Sequence, residues 1–455
     1  MLDPCRSTRS RGTMRGEHPW AGPKMVLDMG VARGSLLYVD MSEHHPSRPL
    51  PAASPLASHW PIDPGIVYLN HGSFGGCPTP VIEAQQRHRL RMERELVRFF
   101  VEDMDDVFDQ TRAEVAAFVR CKPGELAFVP NATTGVATIL NSFGLRPGDD
   151  VLAGMHEYPA CMNNLRHICA KAGAKVVAAP IPFPVKSPGE IVEAVVSKVT
   201  PRTRLALLSH VTSSSGIILP IREMVAALAA KGVETIVDGA HAVGMLDLDI
   251  PSIGAAFYTS NCHKWVCSPK GSAILYVRED WQGRIRPVVL SNFAEKPKPG
   301  RSQFHTEFDY IGTDDPTAYF AIADAIRFMG SLLPGGWEGV RRHNHELLKY
   351  GRQVVSKVLG TEPPAPEAML GSICTMYLPR HDPDRTARLA ARSSKYHDAT
   401  QDELIRRHRI QVPLWSVAGT ADRVIRISAQ VYNSREQYDY LAAALDEEIA
   451  RERAF

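Results

Sequence analysis

The sequence predicts an α/β protein: a mostly parallel seven-stranded sheet covered by helices, followed by a smaller α+β C-terminal domain. Three observations predict it. From Glu125 onward, short apolar runs recur at 126–129, 151–153, 176–178, 205–208, 235–237, 255–258 and 273–277. Helix-like segments such as 191–199 and 221–231 lie between several of them, and strands alternating with helices argue for a parallel sheet buried on both faces. After about residue 300 the alternation stops, and long helical patterns mix with short strand candidates.

Composition bounds what the chain does. Its 455 residues are 44% hydrophobic and 22% charged, an ordinary globular balance with ample material for a core. The formal net charge is +2, which implies no nucleic-acid or membrane partner. No run of 18 or more apolar residues occurs, so no transmembrane helix is expected. The eight cysteines form no metal-type CxxC pair, and no metal site is expected. They read as reduced thiols of a cytoplasmic protein, small buried residues rather than a disulfide framework.

The elements follow in order. Residues 1–55 hold scattered Arg, Gly and Pro without a periodic apolar pattern, so a disordered or loosely packed extension is expected. Met25 and Met41 leave a downstream start open. A large domain is expected over 56–315 and a small one over 316–455. The former opens with a short strand at 66–69 running into the Gly-rich loop Asn70-His71-Gly72-Ser73-Phe74-Gly75, which either approaches a ligand closely or is a plain turn. Pro78 and Pro80 suit a helix start, and the apolar spacing over 78–120 predicts helix in two pieces. A further helix is expected at 136–143. Beyond the sheet, helices are expected at 315–329, 337–359, 399–407 and 434–448, with strands at 372–378 and 424–428.

Two strand ends carry chemistry. The run Thr235-Ile236-Val237 ends in Asp238, and 26 positions later Lys264 stands in Asn261-Cys262-His263-Lys264-Trp265 after another apolar run. Most lysines are solvated surface cations. A lysine amine is also a nucleophile toward an aldehyde, and a carboxylate at a strand end holds a pyridinium nitrogen protonated. Pyridoxal phosphate needs those two groups, a Schiff-base lysine and an Asp partner for the ring nitrogen.

The order strand–Asp-Gly-Ala-His, then strand–Asn-Cys-His-Lys, resembles the class V aminotransferases among fold-type I pyridoxal phosphate enzymes, and most closely their isopenicillin N epimerase-like branch. The resemblance covers about 65–445. It implies a fold-type I transferase architecture, pyridoxal 5'-phosphate as cofactor, and Lys264 and Asp238 as catalytic groups. It places Thr133 and Thr134 on the cofactor phosphate, where an ordinary helix N-cap is the plain alternative. Tyr158 is implied as the residue stacked on the cofactor ring, with His156 near it, and Ser213 as a contact of the phenolic oxygen or the substrate. Asn261 and His263 are implied at the phosphate. His241 either touches the ring oxygen or caps the next helix.

Thr313, in Gly312-Thr313, is implied to reach the phosphate of a neighbouring subunit, which would make the active unit a homodimer with shared sites. Arg426, followed by Tyr432-Asn433, is implied to clamp the substrate carboxylate, since a guanidinium fork matches a carboxylate bidentately. Asn70 and His71 are expected to bind substrate, and the loop 291–305 to help choose it.

The chemistry so implied is carbanion formation at the Cα of an amino acid or an amino-acid-containing small molecule, by an epimerase or a C–S or β-elimination lyase. An aminotransferase is the alternative enzyme. A non-catalytic protein that retains the cofactor is the alternative from another class. Desulfurases of the family need a cysteine shortly before the carboxylate arginine, and 407–426 contains none.

Overall fold

The computed structural model describes residues 48–417 and 422–455. Residues 1–47, most of the expected N-terminal extension, lie outside the described residues. The end of that extension is fastened rather than loose. Ser54 N donates to the Tyr432 carbonyl at 3.1 Å, and Ser434 Oγ to the Ala52 carbonyl at 2.7 Å.

The first strand, β1 (Val67–Tyr68), pairs in parallel with β10 (Ile410–Gln411). Residues 67–68 therefore lie with C-terminal elements and not with the large sheet. The expected helical stretch after them forms Thr79–Arg94 and Met104–Phe118, joined through Leu96–Arg98 and a π-helical turn at Phe99–Asp103.

The seven-stranded sheet is present, and each of its strands falls on one of the seven predicted apolar runs. It comprises β2 (Leu126–Val129), β3 (Asp150–Gly154), β4 (Lys175–Ala179), β5 (Thr203–Ser209), β6 (Glu234–Asp238), β7 (Phe257–Asn261) and β8 (Ala273–Val277). Its order is β2-β8-β7-β6-β5-β3-β4. The pairs from β7 to β4 are parallel, and only β8 runs against its neighbours. Strands buried on both faces need apolar side chains on both, and β2, β3, β7 and β8 are buried throughout.

Strand β7 begins two residues later than expected and runs on through Thr259, Ser260 and Asn261. Polar residues survive there because each is satisfied. Thr259 Oγ1 donates to the Ile274 carbonyl at 2.8 Å, Ser260 Oγ to the Gly239 carbonyl, and Asn261 Oδ1 accepts from Ala132 N at 2.8 Å.

Beyond the sheet, helices Thr317–Ser331 and Gly336–Leu359 lead to a three-stranded antiparallel sheet. Its members are β9 (Ile373–Tyr377), β11 (Leu414–Ser416) and β12 (Arg423–Ser428), with β12 in the middle. Its own apolar cluster includes Leu348, Leu404, Ile427 and Leu441. Among the described residues no helix is long and apolar enough to cross a membrane.

Candidate active site

The carboxyl ends of parallel strands are where open α/β sheets gather ligand-binding groups. Here β5, β6 and β7 end at Ser209, Asp238 and Asn261, and all three side chains line one cleft of about 520 Å³. Lys264 follows β7 on the turn into β8, held by Cys267 N donating to its carbonyl at 3.0 Å. The Gly-rich loop lies directly against this turn. Gly75 has φ 69°, and a Cβ there would stand 1.9 Å from the His263 carbonyl oxygen. Only glycine fits both demands.

Lys264 Nζ lies 3.0 Å from His241 Nε2, and Trp265 Nε1 donates to His241 Nδ1 at 3.3 Å. With Nδ1 accepting, the neutral ring carries its proton on Nε2 and donates it to Nζ, which accepts only as the free amine. The electrostatics agree. Burial lowers His241 well below the usual histidine range. Burial first, and then the Arg426 guanidinium, bring Lys264 down to about 7. Of the two roles left open for His241, helix capping is replaced by contacts to Lys264 and Trp265.

Asp238 is buried, with Oδ1 accepting from Ala240 N at 2.9 Å and Oδ2 from the Cys161 thiol at 3.4 Å. Burial raises its carboxyl above the usual range. Thr133 and Thr134 lie in the first turn of the helix Ala132–Ser142, which starts four residues earlier than expected. Asn131 caps it, its Oδ1 accepting from Thr134 N at 2.9 Å, and Asn261 takes the N–H of Ala132. His263 lines the same cleft, and its Nδ1 is buried without a partner. Burial brings its imidazole down to about 4. Tyr158 sits at the N-cap of the helix Pro159–Ala172, with 45% of its surface exposed on the cleft.

Arg426, on β12, is buried. Its Nη1 donates to the Ser213 carbonyl at 2.6 Å, and its Nη2 to Ser73 Oγ at 2.7 Å and Asn70 Oδ1 at 3.4 Å. Its guanidinium lies over the Trp415 ring at 5.4 Å, and its Nε has no partner. Every one of these acceptors is neutral, and burial lowers the group to about 10. A buried cation without a counter-anion is costly, and Arg426 stands directly behind Ser73 and Ser213, which line the cleft.

Two expected residues, His71 and His156, take other places. The buried His71 ring stands behind Lys264: Nε2 donates to the Lys264 carbonyl at 3.0 Å, and Nδ1 accepts from the Tyr432 hydroxyl at 2.8 Å. Thr313, expected at the phosphate of a neighbouring subunit, meets Tyr310 at 3.2 Å and does not line the cleft of its own chain. His156 turns aside to Ser215 Oγ at 3.0 Å. The loop 291–305 is fastened away from the cleft, through Lys298 to Asp105 and Arg301 to Asp109 and Asp309. Sequence reasoning missed Cys161, Glu157, Phe74 and Trp415. Asn131 was missed as well, although an Asn ahead of an apolar helical run is a signal that could have found the cap.

The family model for class V aminotransferases matches residues 75–441. An isopenicillin N epimerase from Amycolatopsis lactamdurans is 31% identical, over 85% of this chain and 96% of its own. An L-cysteine desulfhydrase from Arabidopsis thaliana is 27% identical, over 90% of this chain and 94% of its own. Among solved structures, that of the cystine C–S lyase C-DES superposes with a TM-score of 0.70 at 20% identity, over 84% of this chain and 97% of the other. At that identity the likeness speaks for the fold.

Proposed function

This chain belongs to the class V aminotransferase family of pyridoxal 5'-phosphate enzymes, and from that premise we propose that it is a C–S lyase acting on L-cysteine or an S-substituted cysteine. The observation that carries the proposal is a cleft that holds a lysine amine lowered to about 7 and is backed by a buried guanidinium with no anionic partner.

The residues present fit the cofactor. Lys264 offers a free amine for its aldehyde, and Asp238 a carboxylate for its ring nitrogen. The helix start at Thr133 and Thr134, with the unpartnered His263 Nδ1, offers donors for its phosphate. Tyr158 offers an aromatic face. When bound, pyridoxal phosphate supplies an electron sink for a carbanion at the substrate Cα.

Arg426 binds the substrate carboxylate, oriented by Ser73, Ser213 and Asn70. Lys264 takes the proton from Cα as general base. The electron pair left at Cα expels sulfur from Cβ, breaking the C–S bond, and the sulfur leaves as thiolate. Water then converts the product to pyruvate and ammonia. Among the described residues no cysteine lines the cleft to receive the sulfur: Cys374 is buried on β9, and Cys161 lies behind Asp238.

The relatives named as L-cysteine desulfhydrases support this reading. Epimerisation is the second reading, favoured by the Amycolatopsis relative and by Tyr158, a second proton carrier on the cleft. Titration with L- and D-cysteine and S-alkylcysteines decides. Sulfide or thiol with stoichiometric pyruvate is expected. A D-product that carries solvent deuterium at Cα, without pyruvate, overturns the lyase reading for the epimerase. Conversion of the cofactor to its amine form makes the protein an aminotransferase, and spectral silence with every amino acid makes it non-catalytic.

The active unit is proposed to be a homodimer, because Thr313 lies outside the cleft of its own chain. Light scattering at the mass of two chains is the expected result.

Lys264 at about 7 sets a pH dependence. Only the free amine attacks an aldehyde, so incorporation of pyridoxal phosphate into cofactor-free protein should rise with pH, reach half its maximum near 7 and level off above 8. Incorporation still rising through pH 9 to 10 would place the amine near the ordinary lysine value.

A further inference from the structure

Two buried side chains beside the cleft have no part in the chemistry above, and both flank Tyr158. Glu157 is fully enclosed and folds back over Gly154, where a Cβ would stand 2.7 Å from its Oε1. Its carboxyl meets the end of β5 twice, with Ser209 N at 3.0 Å and Ser209 Oγ at 2.6 Å. Cys161, one turn into the helix Pro159–Ala172, reaches Asp238 Oδ2 at the end of β6. The segment leaves β3, and β3, β5 and β6 are successive strands of the sheet. It is thus tied across three strand ends, with Tyr158 between the two ties and Pro159 fixing the backbone after it.

We infer that Glu157 and Cys161 are positioning residues, a two-point clamp that holds the Tyr158 ring at the cleft where the cofactor ring binds. The inference rests on the reading that Tyr158 faces the cofactor. A clamp is a matter of geometry rather than charge. Burial raises the Glu157 carboxyl to about 8; one of its oxygens accepts from Ser209 N and the other from Ser209 Oγ, a hydroxyl that can equally accept. Burial and the Asp238 carboxylate keep the Cys161 thiol protonated, as a weak donor. Glutamine has the shape and the donor–acceptor pattern of a protonated glutamate, and alanine has neither.

The test is a double-mutant cycle on pyridoxal phosphate affinity, read by fluorescence titration of the cofactor-free full chain. Y158A should weaken binding about tenfold, the scale of one lost aromatic contact. E157A should weaken it by about as much, E157Q should restore it to within about threefold of the parent, and E157A should cost nothing further in the Y158A background. C161A, a smaller change in case E157A does not fold, should weaken binding about threefold, again only when Tyr158 is present. A purely structural role would lower thermal stability and give losses that add. Additive losses, unchanged affinity in E157A, or failure of E157Q to rescue each overturn the clamp while leaving the Tyr158 reading intact. Unchanged affinity in Y158A overturns that reading, and the clamp with it.

Discussion

Lys264→Ala is expected to reduce turnover of L-cysteine by at least about 10³-fold and to abolish the visible absorption band of the lysine-bound cofactor. A positioned general base contributes about 10²- to 10⁴-fold, and the same side chain is the covalent anchor. Collapse of the protein is not the expected cause. The backbone of residue 264 makes the local contacts: its carbonyl accepts from Cys267 N and from His71 Nε2, and alanine keeps both. What is lost is the bond from His241 Nε2 to Nζ, worth about 1 kcal/mol. The thermal midpoint should therefore move little while activity disappears. Cofactor should still bind, more weakly, through the groups at Asp238 and Thr133. A Lys264→Ala protein with parental activity and an unchanged spectrum would overturn the assignment of the whole site.

The placing of Lys264 and Asp238 at neighbouring strand ends was legible in the sequence because it needs only one fact of structure, that the apolar run before each is a strand. The sheet supplied that fact: β6 ends on Asp238, and Lys264 follows the end of β7 by three residues. The helix after β2 was legible too, but not its start: Thr133 and Thr134 lie inside its first turn, and Asn131 is its cap.

Glu157 and Cys161 were not, since their partners lie 52 and 77 positions away and only strand order brings them together. Trp415 under Arg426 was hidden too, because it depends on the antiparallel pairing of β11 with β12. The misplacement of His71 has a different cause. A polar residue in a Gly-rich loop reads as ligand-facing, but this imidazole is buried and spends both nitrogens on Lys264 and Tyr432. Local sequence does not say which side of a loop faces the cleft.

Arg426→Ala is expected to lower kcat/KM for L-cysteine by about 10²- to 10³-fold, chiefly through KM. Loss of one partner from a buried, hydrogen-bonded charge pair costs about 2–5 kcal/mol, and the substrate carboxylate supplies the only anion proposed to meet this guanidinium. Arg426→Lys should recover part of the loss, because it keeps the charge but not the fork. A second consequence follows from electrostatics. The Arg426 cation is one of the causes that lower Lys264, after burial. Removing it raises the lysine toward its ordinary value, so the midpoint of pyridoxal phosphate incorporation into the cofactor-free protein should move to higher pH in Arg426→Ala. Burial remains, so that midpoint should stay below the ordinary lysine value of 10.5. Cysteamine, which lacks the carboxylate, separates the two effects. Compared at a pH where Lys264 is unprotonated in both proteins, it should be a poor ligand of the parent and no poorer a ligand of the variant. If Arg426→Ala weakened cysteamine as much as cysteine, the arginine would be holding the cleft together rather than recognising the carboxylate, and the proposed orientation of the substrate would fall.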